Sequence, residues 1–274
     1  MMKNVGMLTV AVLLIALPAT AQQPNVVNGT LAVRAVTATL DREFAAITDR
    51  EAGPAWIGYS MPIANRDREV GCWSDEGRYA GSRTGPLHLE GPDSFFVLYR
   101  IDARRVERIR IASSECPLDA GGLTVHWLTG VRSDDSLAWL ATFVNADLTR
   151  RLGNSAVFAI AMHAGTPAAD RLVSLARSGE STRVRGDALF WLAQRAGDKA
   201  VGAITDAIAR DPDTEVKKKA VFALSQLPKD EGVKLLIDVA RRNQNPAVRK
   251  EAMFWLGQSH DPRALQFFEE MLRK

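Results

Sequence analysis

The chain has 274 residues, of which 46% are hydrophobic and 24% are charged. This composition is typical of a folded globular protein and excludes disorder along most of the length. The net charge of +3 is too small to favour nucleic acid, and two cysteines are too few for a zinc finger or an iron–sulfur cluster. We therefore predict no nucleic-acid partner, no metal and no cofactor.

Residues 1–21 have the pattern of a secretory signal peptide. Lys3 precedes an apolar stretch over residues 7–17, and Pro18 separates that stretch from the small residue Ala21. The apolar stretch is too short to cross a bilayer, which requires roughly 20 residues. We therefore expect cleavage after Ala21 and export of the mature chain as a periplasmic or secreted protein without a transmembrane span.

Residues 22–132 predict a small β-rich domain. Apolar and polar residues alternate there in short runs that Gly and Pro interrupt, which is typical of strands. The predicted strands are 56–61, 86–89, 94–101, 106–112 and 123–128, and one helix is predicted over 36–47. Closely spaced strands favour an antiparallel sheet or sandwich, which would cover the open end of the helical region that follows.

Cys72 and Cys116 both belong to this domain. In an exported protein we expect them to form a disulfide bond, which would close a loop of about 44 residues. The alternative is two free thiols or a redox pair, although the chain has no Cys-x-x-Cys motif.

Residues 133–274 contain a repeat of 32 residues. Four phenylalanines mark the same position in successive units: Phe158, Phe190, Phe222 and Phe254. Each unit has two helical patterns joined by a short turn, and such hairpins bury their apolar faces only by stacking. We predict a mainly α protein, a solenoid of about four hairpins with one capping helix over 133–145. Phe190 and Phe222 are expected inside the stack, where truncation to alanine would cost about 3–5 kcal/mol.

Ser181, Asp213 and Asn245 stand where the first helix of successive units is predicted to begin, and their side chains can cap it. Each is followed three residues later by a valine and then a basic residue: Val184-Arg185, Val216-Lys217 and Val248-Arg249. These segments resemble HEAT repeats of the short bacterial, phycobilisome-lyase-like type. The resemblance covers residues 133–274 and implies a superhelical α-α solenoid, in a family that includes scaffolds, lyase subunits and substrate adaptors.

Two segments of the β-rich domain, residues 54–59 and 116–128, resemble the region that precedes the repeats in exported HEAT-repeat proteins of unknown function. This resemblance supports the order of the domains and implies no activity.

The second helices of the hairpins are expected to line the concave face of the solenoid. Their outward positions are Arg171, Ser174, Arg177, Asp206, Lys234, Leu235, Asp238, Arg241, Phe267 and Arg273, with Ala203 and Glu270 beside them. Mixed charges with apolar residues among them favour a groove that binds a partner protein or peptide. The alternative is a solvated face without a partner. Phe267 is predicted to be either an anchor for the partner or part of the packing at the last unit.

The function predicted from these features is a non-catalytic binding or scaffold module of the cell envelope. The histidines are scattered, and no catalytic motif such as HExxH or GxSxG is present, so no catalytic residue is assigned. His163, at a repeat turn, is expected to lie on the surface. An alternative is an enzyme or lyase-like subunit with a site at the junction of the two domains, where His88, His126 and Asp119 would converge. A purely structural envelope element is a third hypothesis.

Overall fold

A computed structural model of the chain describes residues 23–65, 71–72, 92–145, 150–195 and 197–273. The predicted signal peptide, the predicted strand over 86–89 and His88 lie outside the described residues. None of the helices within the described ranges is long and apolar enough to cross a membrane.

The amino-terminal region forms two sheets. The strands are β1 Val26–Val27, β2 Thr30–Ala35, β3 Ala55–Pro62, β4 Ser94–Asp102, β5 Arg105–Ser113, β6 Leu118–Asp119 and β7 Thr124–Thr129. Five of them form one sheet in the order β2-β7-β3-β4-β5, and β1 pairs with β6. The structure confirms a β-rich region ahead of the helices.

The five-stranded sheet is mixed, and the expectation of an antiparallel sheet was wrong for one half of it. β3, β4 and β5 are antiparallel neighbours, but β2 and β3 both run parallel to β7. Helix α1, Leu40–Thr48, connects β2 to β3 and returns the chain to the end of the sheet at which β2 began. A crossover of this kind is what parallel strands require.

The sheet has an apolar core on both faces. On one face, Ile57, Tyr59 and Tyr99 belong to a cluster that continues into the helices. On the other face, Trp56 and Trp127 belong to a smaller cluster. Cys116 lies just before β6 and forms a disulfide bond with Cys72, with 5.4 Å between the Cα atoms, which confirms the predicted pairing.

The rest of the described chain is helical. The helices are α2 Ser133–Ala141, α3 Arg150–Met162, α4 Thr166–Ser178, α5 Thr182–Arg195, α6 Asp198–Arg210, α7 Thr214–Ser225, α8 Lys229–Arg242, α9 Pro246–Gln258 and α10 Pro262–Leu272. From α3 onward they form four hairpins, each with a first helix and a second helix, and α2 precedes them. This is the predicted solenoid with its capping helix.

The predicted caps define the helix starts. Asp213 and Asn245 each accept a hydrogen bond from the backbone N–H two residues later, at 2.8 and 3.0 Å. Ser181 accepts one from the Val184 N–H at 3.2 Å. These bonds satisfy donors that the first turn of a helix leaves unpaired.

The core of the stack repeats with the period of the sequence. Val184, Val216 and Val248 are fully buried in successive first helices, and Leu224 occupies a buried position two turns after Val216. The buried residues of the sheet face, of α1 and of all four hairpins form one continuous cluster. The sheet and the solenoid therefore share a hydrophobic core.

Candidate functional site

The second-helix face, formed by α4, α6, α8 and α10, carries the residues that the sequence predicted for binding. Seven of them are exposed: Arg171, Ser174, Arg177, Lys234, Asp238, Arg241 and Arg273. Asp206 and Leu235 are half-buried, and Ala203 is buried. Most of the predicted positions therefore lie at the surface of this face.

Phe267 is not exposed, so the hypothesis of a partner anchor was wrong for this residue. Its side chain is only 1% exposed because it points into the core of the last hairpin. The guanidinium of Arg241 lies 5.4 Å from the centre of the ring and covers it.

The charges of the second-helix face pair with one another. Arg177 in α4 lies 3.6 Å from Asp206 in α6, and Arg241 in α8 pairs with Glu270 in α10. Within α8, Asp238 pairs with Arg242 at 3.1 Å. Exposed pairs of this kind contribute little stability, but they leave the face with a balanced charge.

A cleft of about 250 Å³ opens between α6 and α8 on this face. Leu235, Val239 and Ile208 provide apolar surface, and Thr205 and Asp238 provide polar groups. The predicted residues Leu235 and Asp238 thus border the same cleft.

The first helices, α3, α5, α7 and α9, pack more closely along the stack than the second helices do. The first helices therefore form the more closely packed side of the stack.

A continuous row of aromatic rings crosses the first helices. In order along the stack it consists of Phe158, Trp191, Phe190, Phe222, Trp255 and Phe254, and we call it the aromatic row. Successive ring centres are 4.7, 4.9, 5.9, 4.8 and 5.0 Å apart. Phe254 is 53% exposed, and the other five rings are half-buried.

The phenylalanines that mark the repeat are thus not core residues, contrary to the expectation for Phe190 and Phe222. Ala188 and Leu192 are buried in the core of the stack. Phe190 is two residues from each of them, and therefore about 200° around the helix. The ring consequently reaches the surface of the stack instead of its interior.

A second row runs beside the first. Gln194, Gln226 and Gln258 each stand four residues after a phenylalanine of the aromatic row, and therefore on the same helix face. We call these three residues the glutamine row. Clefts open at both of its ends, with volumes of about 210 Å³ at Gln194 and about 270 Å³ between Gln226 and Gln258.

The junction of the sheet and the solenoid contains a buried serine–histidine pair. The Ser136 hydroxyl lies 2.8 Å from His163 Nε2, and both residues are fully buried, so the expectation of a surface histidine was wrong. His163 Nδ1 lies 2.7 Å from the carbonyl oxygen of Ala159. The turn that carries His163 is covered because it bonds to the end of β3 through the Ala164 N–H and the Pro62 carbonyl.

The donor and the acceptor of each hydrogen bond in this network follow from the Ala159 carbonyl. A carbonyl only accepts, so His163 Nδ1 carries the proton, and Nε2 accepts from Ser136. Ser136 in turn accepts from Tyr59 at 2.9 Å, and Tyr59 accepts from Tyr99 at 2.7 Å. Burial lowers the pKa of His163 to about 4, because the charged ring would be desolvated. The network joins the sheet to the solenoid through a neutral histidine.

Two members of the predicted enzymatic cluster, His126 and Asp119, do not converge in the described part of the chain. His126 lies 2.5 Å from Glu51, on the face of the sheet opposite its neighbour Val125. Asp119 borders a small space on the Val125 face and accepts a hydrogen bond from Asn28 at 3.2 Å. Strand residues alternate between faces, so His126 and Asp119 are directed to opposite sides of the sheet. Among the described residues no group of three or more His, Cys, Asp or Glu is placed to hold a metal.

A comparison with protein families identifies the repeats. The sequence model described as HEAT repeats matches residues 169–241 and 201–274. Residues 169–274 are HEAT repeats. No curated protein sequence matches the chain significantly.

Solved structures that resemble about half of this chain include two natural proteins and one engineered protein. The complex of CpcE and CpcF of phycocyanin lyase from Nostoc sp. PCC7120 has 17% identity and a TM-score of 0.40, over 52% of this chain and 91% of that one. Human deoxyhypusine hydroxylase in complex with glycerol has 20% identity and a TM-score of 0.35, over 49% of this chain and 43% of the enzyme. The engineered protein has 20% identity and a TM-score of 0.26, over 49% of this chain and 67% of the engineered protein. The chain thus spans less than half of the human enzyme.

The basic residue that follows valine in the HEAT repeats has a structural role. Arg185 donates to Asp211 at 2.8 Å and to the Gly179 carbonyl at 2.9 Å. Arg249 donates to the Asn243 carbonyl at 2.9 Å, at the end of the preceding second helix. These side chains satisfy carbonyls that the ends of helices leave unpaired, and they fix successive hairpins together.

Sequence reasoning found the repeated phenylalanines of the aromatic row but assigned them to the core, and it did not find the serine–histidine pair. The glutamine row had a detectable signal, because its residues recur every 32 positions like the phenylalanines. Ser136 and His163 had none, since they lie in different helical segments and meet only through tertiary packing.

Proposed function

We propose that this protein is an exported, non-catalytic binding module whose solenoid holds a partner protein or peptide. The observation that carries the proposal is the aromatic row. Phe190, Phe222 and Phe254 pack mainly on other rings, and Phe254 is 53% exposed. Aromatic residues are more frequent at protein interfaces than on the rest of a protein surface, because a partner that covers them removes their apolar area from water.

The HEAT-repeat fold supports this proposal. Each hairpin adds similar side chains to the same face, so the stack offers an extended surface with repeated contacts. The clefts of about 210 and 270 Å³ along the glutamine row have room for individual side chains of a partner.

Export is supported by two independent features. The amino-terminal sequence has the composition of a signal peptide. The Cys72–Cys116 disulfide fits a compartment that is oxidising, such as the periplasm or the outside of the cell.

Site-specific photo-crosslinking in cells that make the protein tests the proposal. Benzoylphenylalanine would replace Phe254 on the first-helix face, Lys234 on the second-helix face, and Val33 on β2 as the control. All three positions are exposed, and Val33 lies outside the solenoid. Fractionation of the same cells, with the mass of the mature chain, tests export and cleavage after Ala21.

We expect a discrete crosslinked product from Phe254 or Lys234 and none from Val33. Product at Phe254 would place the partner on the first-helix face, whereas product at Lys234 would place it on the second-helix face of the original prediction. The absence of any discrete product at both solenoid positions would refute the binding function. A mature chain that remains in the cytoplasm would refute export.

No specific observation favours the enzyme hypothesis. The Ser136 and His163 pair has the spacing of a nucleophile and its base, but both residues are fully buried and Ser136 is also bonded to Tyr59. A substrate would have to displace part of the shared core to reach them. The pair is therefore assigned to the stability of the junction.

A further inference from the structure

We infer that the partner binds to the first-helix face as an extended, acidic polypeptide segment that lies along the stack. This inference rests on the proposed binding function and names its surface and the chemistry of the occupant. Three features of the face lead to it: the orientation of the rings, the glutamine row and the charge beside the rings.

The orientation of two ring pairs in the aromatic row favours a polypeptide over ligands that stack on open aromatic faces. Phe190 and Phe222 are nearly parallel, with an angle of 3° between their planes, and Phe158 stacks on Trp191 at 30°. In these two pairs the rings cover one another's faces, whereas the other three contacts of the row are tilted or T-shaped. Bases and sugars stack on open aromatic faces, whereas aliphatic and aromatic side chains of a polypeptide pack well against ring edges.

Two members of the glutamine row, Gln226 and Gln258, offer amides one repeat apart. A carboxamide both donates and accepts, as does each peptide group of a main chain. Gln258 is exposed and its amide has no hydrogen-bond partner within the part of the chain that the structure describes. Gln226 donates to Ser225 at 3.1 Å, which leaves its oxygen available for a donor. Regular amides match an extended main chain, because its N–H and C=O groups also recur at a fixed interval.

The spacing of the repeats fits an extended segment. Packed helices are about 8–10 Å apart, and an extended chain rises about 3.3 Å per residue, so about three residues span one repeat. Every third side chain of the segment would then meet an equivalent part of the face. The cleft of about 270 Å³ between Gln226 and Gln258 has an apolar floor with Leu236 and Trp255, and it would receive one of these side chains.

The charge on the other side of the rings is positive. Basic residues stand three, four or seven positions before the phenylalanines: Arg151, Arg183, Lys218, Lys219 and Lys250. The acidic residues at such positions are Asp187, Glu215 and Glu251. Asp187 forms an ion pair with Arg183 at 3.5 Å, and Glu215 forms one with Lys218 at 3.2 Å. Glu251 accepts a hydrogen bond from the Trp255 indole N–H at 2.9 Å. The excess of basic side chains favours a partner with carboxylates.

A library of random linear peptides of about twelve residues, displayed on phage, provides a direct test, since about nine residues would span the aromatic row. The purified full chain would be the bait, and enriched peptides would be synthesised with a fluorescent label. Their affinities would be measured by anisotropy for the unmodified protein and for variants of exposed residues, whose folding is checked by circular dichroism.

Matched variants distinguish the two faces. Gln258→Ala and Lys250→Glu change the first-helix face, and Gln266→Ala and Lys234→Glu make the same changes at exposed positions of second helices. We expect enriched peptides rich in Asp or Glu with apolar residues three apart. Each first-helix variant should weaken binding about tenfold, which is the effect of one lost polar contact, and each control should have little effect.

Three outcomes would overturn the inference: no enrichment of peptides, peptides that bind the first-helix variants as tightly as the unmodified protein, or peptides whose binding is lost in the controls. A crosslinked product at Phe254 together with no enriched peptide would overturn only the extended segment, and the binding function would stand with a folded partner. The absence of both would refute the binding function itself.

Discussion

Protonation of His163 is expected to destabilise the folded protein as the pH falls. Burial lowers the pKa of His163 from its ordinary value of 6.5 to about 4 in the folded protein. The unfolded chain therefore binds the proton more readily than the folded chain does between these values. The stability that depends on the neutral ring is fully present above about pH 6.5 and is lost as the pH falls towards 4.

The magnitude follows from the difference between the two pKa values. About 2.5 pH units at about 1.36 kcal/mol per unit correspond to roughly 3 kcal/mol. The hydrogen bonds give the physical reason. With a proton on Nε2, His163 would donate to Ser136, Ser136 to Tyr59 and Tyr59 to Tyr99. The hydroxyl proton of Tyr99 would then lose its acceptor.

The assay is urea unfolding followed by circular dichroism between about pH 7 and about pH 4, on the unmodified protein and on His163→Gln. The free energy of unfolding of the unmodified protein should fall about 3 kcal/mol more over this range than that of the variant, which has no ring to titrate. An equal loss in both proteins would refute the reasoning. An NMR titration of the His163 ring gives a second reading, and a midpoint above about pH 6 would refute the buried, neutral state.

Three further predictions concern stability, and each is measured by chemical unfolding. Leu224→Ala should lower the free energy of unfolding by about 3–4 kcal/mol because it opens a cavity in the core. Phe222→Ala should lower it by only about 1–2 kcal/mol because its ring is half-buried at the surface. Equal losses would contradict the assigned core. Arg185→Ala should cost about 3 kcal/mol because it leaves Asp211, only 6% exposed, without its charge partner, and a cost below about 1 kcal/mol would show that the pair is solvated. Cys116→Ser should lower the free energy of unfolding by about 4 kcal/mol, because the loop of 44 residues gains entropy in the unfolded chain. Unfolding should remain a single transition because the sheet and the solenoid share a core. A separate early transition would contradict the shared core.

The sequence determined the local features of this protein. The 32-residue period set the number of hairpins, and the capping side chains of Ser181, Asp213 and Asn245 set where three helices begin. These features depend on neighbours within a few residues along the chain, so a single sequence contains the information.

The tertiary structure decided which surfaces the elements present to one another. The strand pattern gave no information on pairing direction, so the parallel arrangement of β2, β7 and β3 depended on the path of α1. The apolar character of Phe190 did not distinguish a core position from a surface row, and Phe267 proved to be buried beneath Arg241. From the sequence, His163 was expected at a surface turn, but in the structure the end of β3 covers it. Burial and the direction of a hydrogen-bond network depend on residues far apart in the chain, and only the packed fold brings them together.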